Sequence, residues 1–167
     1  MIIIIQILSF ELVRELNNYI DTLDFKKSTV FGEGTSGNPR TNPDLRSSTG
    51  CILHEDHELT KNLHLKLNAG LDEYKERVSK IHDNFQYYPV PGGYDTNSWR
   101  EGIQVLDYEK TQEYKFHHDV ADEKDKQEYY RTISIILYLT NDFEGGRTCL
   151  LYTSDAADEG LGVDLGG

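Results

Sequence analysis

The chain is poor in cysteine: Cys51 and Cys149 are its only two in 167 residues. Two cysteines cannot build a disulfide framework, which fits a reducing compartment. Basic residues are scarce as well. Seventeen Lys and Arg stand against 29 Asp and Glu, a formal net charge of -12. A surface of that sign repels phosphate backbones and excludes nucleic acid as an expected partner. Long apolar runs are missing too. Met1-Ile2-Ile3-Ile4-Ile5 opens the chain, but the apolar run ends by Glu11 and no basic segment precedes it. It is too short to span a membrane and lacks the form of a targeting signal. Its β-branched residues read more simply as a buried strand. The expected setting is cytoplasmic, with no membrane partner.

What remains is a chain with 37% hydrophobic and 28% charged residues, long enough for one domain with a proper core. Ser9 is a plausible N-cap, and Glu11 follows in the first turn, where the helix dipole favours an acid. Leu12, Leu16, Tyr19, Ile20 and Leu23 recur at helical spacing, which predicts an amphipathic helix. Residues 32–43 are rich in Gly, Asn, Ser, Thr and Pro and read as a loop. Residues 46–53 return to a short strand. His54-Glu55-Asp56-His57 has its histidines three apart rather than four, with no third ligand evident, and reads as the solvated first turn of a helix. Leu59, Leu63, Leu67, Leu71, Tyr74, Val78 and Ile81 mark that helix as long. Gly70 weakens it by about 1 kcal/mol relative to Ala. His64 and His82 read as surface or boundary residues. Residues 87–94 form a turn-rich, aromatic connection.

From Ile103 onward the pattern turns to strands. Ile103, Val105 and Asp107 alternate with Gln104, Leu106 and Tyr108, and both sets contain apolar groups, as in a sheet covered on both faces. Residues 133–139 form a further apolar, strand-like run. It is closed by Asn141-Asp142-Phe143-Glu144-Gly145-Gly146-Arg147-Thr148. Helices leading into a β-rich half predict an α+β protein, with helices bracing a sandwich or barrel.

Residues 149–167 differ in character. They contain four acids and no basic residue, without a clear period. Cys149-Leu150-Leu151-Tyr152-Thr153-Ser154-Asp155 looks like one reading frame of a transposase-type sequencing-library adapter, and Gly162-Val163-Asp164-Leu165-Gly166-Gly167 resembles its continuation. The expected division is therefore a natural part, 1–148, cut short, followed by a non-native tail, 149–167.

The chemistry centres on His117-His118-Asp119. On a strand, residues two apart share a face, so His117 and Asp119 can reach one ion while His118 points away. Two histidines and one carboxylate on one face of an ion make the facial triad of non-haem iron(II) oxygenases. By themselves these three residues are more simply a chance His-x-Asp on a strand.

The wider spacing carries more. Tyr108, Tyr114, His117 and Asp119, then Arg131, Ser134 and Tyr138-Leu139, then Gly145-Gly146-x-Thr148, closely resemble the catalytic domain of the prolyl 4-hydroxylases, which are iron(II)- and 2-oxoglutarate-dependent dioxygenases. Arg46-Ser47-Ser48 ahead of a short strand resembles that family too. The resemblance implies N-terminal helices packed on a double-stranded β-helix (jelly-roll) core, here incomplete because the C-terminal strands are missing. It implies His117 and Asp119 as iron ligands, Tyr108 and the Ser134 hydroxyl as contacts of 2-oxoglutarate, and Tyr114 at the substrate end. The implied reaction converts 2-oxoglutarate to succinate and carbon dioxide while a prolyl residue of a peptide or protein is hydroxylated. Ascorbate keeps the iron reduced. An oxygenase with the same cofactors but another side chain or a small molecule as substrate, and a non-catalytic jelly-roll binding module, are the competing readings.

Two departures alter little: the family often has Gly at Thr111 and Thr at Ser134. A third matters more. The family's second iron-binding histidine and the basic anchor of 2-oxoglutarate lie downstream. No His follows His118 in this chain, and no Lys or Arg follows Arg147. A two-residue site holds iron weakly, and 2-oxoglutarate lacks its charge-assisted anchor. Open strand edges are exposed as well. The 167-residue chain is expected to be unstable, aggregation-prone and inactive.

Overall fold

Ser9 starts the first helix as its place in the sequence predicts. In the computed structural model, which describes residues 2–30, 39–82, 101–117, 133–151 and 162–164, α1 spans Phe10–Ile20. The Ser9 hydroxyl accepts from the Leu12 N–H at 3.2 Å, and Glu11 occupies the first turn. Both features satisfy a helix end that otherwise leaves free N–H groups. Leu12, Leu16 and Ile20 are buried at four-residue spacing. Leu16 is fully enclosed, and its burial stabilises the unit by about 2–3 kcal/mol.

The second helix, α2, spans Glu58–Ser79. Its buried stripe is Thr60, Leu63, His64, Leu67 and Val78. The expectation that His64 is a surface or boundary residue is thus corrected. Positions 60, 63, 64 and 67 share one helical face, and His64 lies within it. Outward, Glu73–Arg77 and Glu76–Lys80 form ion pairs one turn apart. These are exposed and contribute only tenths of a kcal/mol. Gly70 has a packing reason. A Cβ there would stand 2.9 Å from Cγ2 of Ile7, so the missing side chain lets the N-terminal segment lie against α2.

That N-terminal segment is not a strand. Residues 2–9 have no regular structure, and Ile4 is 78% exposed. β-branched composition favours an extended chain, but a strand also needs a partner, and no strand among the described residues pairs with 2–9.

A three-stranded antiparallel sheet completes this unit, in the order β1 (Lys26–Lys27), β2 (Thr49–Ile52) and β3 (Gln104–Asp107). Lys26 faces Gly50, which in turn faces Leu106. Gly50 is required there, because a Cβ would stand 2.7 Å from the Val105 carbonyl oxygen. The sheet is not covered on both faces as the alternation suggested. Val105 is half-buried, while Gln104, Leu106 and Asp107 are exposed. Two helices and three antiparallel strands make the described part of this unit mixed α and β.

The chain divides into two compact units, residues 1–130 and 131–167. In the second, residues 133–140 form no strand, correcting the strand-like reading, and Ile135, Ile136 and Tyr138 are exposed. Apolar residues suited to a sheet do not make one without paired backbone. Gly145 and Gly146 turn the chain at φ +85° and +63°, a region that favours glycine. The Tyr138 hydroxyl then meets the Thr148 hydroxyl at 2.7 Å. Cys149–Leu151 (β4) pairs antiparallel with Gly162–Asp164 (β5). No helix among the described residues is long and apolar enough to cross a membrane.

Candidate functional site

The site is built where β2 and β3 extend toward their outer ends. Thr49 pairs with Asp107, so an unbroken ladder would set Arg46 against residue 110. Arg46 instead bridges Tyr114, so four more residues (114 against 110) lie on that side. They are taken up by a turn in 108–113. The Gln112 side chain accepts from the Glu109 N–H at 2.9 Å, and the Gln112 N–H donates to the Glu109 carbonyl at 3.0 Å. Thr111 lies within this turn at φ +77°, a left-handed conformation unusual for a β-branched residue. Glycine would meet that demand without strain.

Past the turn the two chains lock together. The Ser47 N–H donates to the Glu113 carbonyl at 3.0 Å, and the Ser47 hydroxyl accepts from the Glu113 N–H at 2.9 Å. The Lys115 N–H donates to the Leu45 carbonyl at 2.9 Å. Tyr114 is thereby fixed opposite Arg46.

Arg46 is only 8% exposed, and a buried cation needs partners. Its guanidinium donates to the Ser48 hydroxyl at 3.3 Å, to the Thr29 carbonyl at 3.3 Å and to the Gln104 side-chain oxygen at 3.4 Å. Ser48 passes its own hydrogen to the Ser28 hydroxyl at 2.9 Å. The plane of positive charge lies over the Tyr114 ring, 4.6 Å from its centroid. The ring of His117 stacks on Tyr114, with centroids 3.6 Å apart and planes 15° from parallel. The Tyr114 ring thus meets both the guanidinium of Arg46 and the imidazole of His117.

His117 is exposed, and its Nδ1 lies 2.8 Å from the Lys115 carbonyl. A carbonyl only accepts, so in the neutral ring Nδ1 carries the hydrogen and Nε2 presents its lone pair. A backbone carbonyl that fixes the tautomer in this way is a common support for a metal-binding histidine. His117 therefore fits the ligand role. Its expected partner Asp119 lies outside the described residues. Among the described residues no three His, Cys, Asp or Glu side chains come together to hold a metal.

Tyr108 begins the turn after β3 and is exposed, with its ring available to a ligand. Ser134 is exposed and belongs to the second unit. Tyr114 and His117 are brought into contact, which their spacing alone did not predict. Arg46 was legible only as part of Arg46-Ser47-Ser48, and its contact with Tyr114 was not. Cys51, on β2, has its thiol pushed up by burial, which removes it as a reactive thiolate at neutral pH. His57, set aside as part of a solvated first turn, instead ends its loop as the N-cap of α2. Its ring nitrogen accepts from the Leu59 N–H at 3.3 Å.

The chain is similar to three curated plant proteins. Prolyl 4-hydroxylase 5 of Arabidopsis thaliana is 32% identical over 124 residues, covering 73% of this chain and 35% of that protein. Probable prolyl 4-hydroxylase 10 of the same plant is 30% identical over 125 residues, 74% of this chain and 35% of that protein. Probable prolyl 4-hydroxylase 8 is 36% identical over 84 residues, 49% and 27%. The chain spans about a third of the length of the curated relatives it matches. No family model matches it, and no solved structure does at a significant level.

Proposed function

Because the chain belongs to a prolyl 4-hydroxylase-like family, we propose that the protein it represents hydroxylates prolyl residues of a peptide or protein, using iron(II), 2-oxoglutarate and ascorbate. The observation that carries this reading is the His117 imidazole, stacked on Tyr114 with its Nδ1 against the Lys115 carbonyl. It stands within a stretch whose motifs match that family.

In this reading His117 and Asp119 hold the metal. Iron(II) bound there supplies the dioxygen chemistry, with 2-oxoglutarate as the co-substrate that leaves as succinate and carbon dioxide. The chain's own residues do the rest. The Lys115 carbonyl keeps the hydrogen of His117 on Nδ1. Tyr108, exposed beside the turn, offers a phenol to 2-oxoglutarate, and Ser134 offers a hydroxyl. Tyr114, with Arg46 over its ring and His117 stacked on it, stands at the substrate end. A jelly-roll core completes the picture, and the cysteine count supports a cytoplasmic setting. The non-native origin of residues 149–167 belongs to the same proposal. Independent clones that read Cys149 to Gly167 from the natural gene would remove it.

The test uses the parent protein with iron(II), 2-oxoglutarate, ascorbate and proline-containing peptides. Succinate release matched by a mass gain of one oxygen on proline is expected, and both are lost in His117→Ala and Asp119→Ala. Succinate release with the oxygen on another residue or a small molecule would replace the substrate. Neither product, from a folded protein, would leave a binding module.

A further inference from the structure

We propose that Arg46 is the cationic half of a carboxylate-binding site, on the face of the first unit's sheet that also carries Ser48, Gly50, Gln104 and Leu106. Alternation puts residues 46, 48 and 50 on one side of their strand. The pairing of Gly50 with Leu106 and of Ile52 with Gln104 adds the β3 residues to that side. Arg46 is 8% exposed, so folding strips most of its hydration. A cation in such a position is ordinarily compensated by an acid. None compensates this one, because the ion pairs among the described residues all join other side chains.

Its partners are neutral: the Ser48 hydroxyl, the Thr29 carbonyl and the Gln104 side-chain oxygen. All three contacts are long, at 3.3, 3.3 and 3.4 Å. A guanidinium meets a carboxylate more closely, at about 2.7–2.9 Å. The Tyr114 ring supplies a negative face but no full charge. A guanidinium has five N–H groups in all. Three serve these bonds, which leaves one hydrogen on each terminal nitrogen with no acceptor among the described residues.

The way in is beside Gln104. Its side chain is exposed and makes the longest of the three bonds, and Leu106 on the same face is 38% exposed. Ser48 holds the guanidinium from within. It is 1% exposed and is itself bonded to the Ser28 hydroxyl at 2.9 Å. A carboxylate arriving on the Gln104 side displaces a weak neutral acceptor, takes up the unused donors and supplies the missing charge. The site does not depend on the hydroxylase reading. One consequence does rest on that reading: with Tyr114 at the substrate end, the carboxylate is an acidic residue near the target proline.

The full 167-residue chain, isotope-labelled at arginine, reports the site through the Arg46 Nε–H resonance, assigned with Arg46→Lys. Sodium acetate is expected to shift that resonance saturably and to raise the melting temperature. Sodium chloride at the same ionic strength, the control for screening, does neither. An acetylated and amidated Ala-Glu-Ala peptide tests a carboxylate carried on a side chain, with Ala-Gln-Ala as its neutral counterpart. Tighter binding of Ala-Glu-Ala than of acetate assigns the site to a peptide side chain, and equal or weaker binding assigns it to a free small acid. Gln104→Glu sets a carboxylate of the chain itself against Arg46, at an exposed position. It is expected to raise the melting temperature in chloride alone and to weaken acetate binding about ten- to hundred-fold, the range of a charge-assisted hydrogen bond.

The absence of a saturable acetate shift overturns the proposal. So does an equal shift from chloride or from Ala-Gln-Ala, and so does acetate binding that is unchanged in Gln104→Glu. If far-UV circular dichroism shows Gln104→Glu unfolded, Gln104→Ala takes its place. Removing the neutral acceptor should then tighten acetate binding, and unchanged or weaker binding overturns the idea.

Discussion

Tyr19 lies flat against His57, with ring centroids 3.7 Å apart and planes within 3° of parallel. The contact joins the last turn of α1 to the residue that caps α2. The Tyr19 hydroxyl also accepts from the His54 N–H at 3.3 Å, so one side chain holds both ends of the His54–His57 turn. His57 combines this stack with a cap. Replacing it by Ala is expected to cost about 1–3 kcal/mol, from a lost N-cap and a lost aromatic pair. His57→Ser retains the cap and should recover about half of that. Chemical denaturation of the three proteins checks the order, and equal stability of Ala and Ser variants would assign the whole effect to the stack.

Thr111 occupies left-handed backbone at φ +77°. Thr111→Gly relieves a strain of about 1–2 kcal/mol but adds unfolded-state entropy, for a net gain of about 0.5–1 kcal/mol. At this chain length that raises the melting temperature by about 1–4 °C. Thr111→Val, which keeps the branch and loses the hydroxyl, gives no such rise. A lower melting temperature for the glycine variant would contradict the assigned conformation.

Gly50 pairs with Lys26 on one side and Leu106 on the other. An added methyl would come 2.7 Å from the Val105 carbonyl oxygen, which belongs to the backbone and has little room to yield. Gly50→Ala is expected to destabilise the first unit by about 1–3 kcal/mol through overpacking. Gly145→Ala is a useful contrast. It has open space around it and is strained by its φ alone. Hydrogen exchange at the β2 and β3 amides should accelerate in the first variant and not in the second.

The Cys51 thiol is pushed up by burial in β2, whereas Cys149 is exposed. A raised pKa keeps Cys51 as the thiol over a wider range, so alkylation near pH 7 falls mainly on Cys149. The sign follows from the neutral form being the one favoured on folding. Cys51 labelling should rise only as pH increases through and beyond the ordinary thiol range, or when denaturant exposes it. Mass spectrometry after a short pulse of iodoacetamide distinguishes the two sites. Equal labelling at pH 7 would contradict the burial of Cys51.

The unaltered chain contains no histidine after His118 and no basic residue after Arg147. It is expected to release no succinate from 2-oxoglutarate when supplied with iron(II) and ascorbate, and to bind iron weakly. Turnover dependent on His117 in this chain would show that these 167 residues already supply a full site.

Local rules were sufficient where the partners lie within a few residues of one another. Ser9 capping Leu12, the buried series Leu12, Leu16 and Ile20, and the length of α2 follow from spacing and from side-chain chemistry, because helix hydrogen bonds close within four residues. The motif of Tyr108, Tyr114, His117 and Asp119 was likewise visible as residue types at fixed intervals. Tertiary structure decided everything that requires a distant partner. Residues 2–9 and 133–140 look like strands by composition and are not, since pairing is set by backbone elsewhere in the chain. His64 faces inward because of how α2 is rotated on its neighbours, a choice that a near-continuous run of leucines leaves open. The register that places Tyr114 opposite Arg46, sixty-eight positions away in sequence, depends on a turn with Thr111 in a conformation its side chain disfavours. His117 was named by sequence alone. The stacking of its ring on Tyr114 was decided by tertiary structure, because orientation is a property of packing.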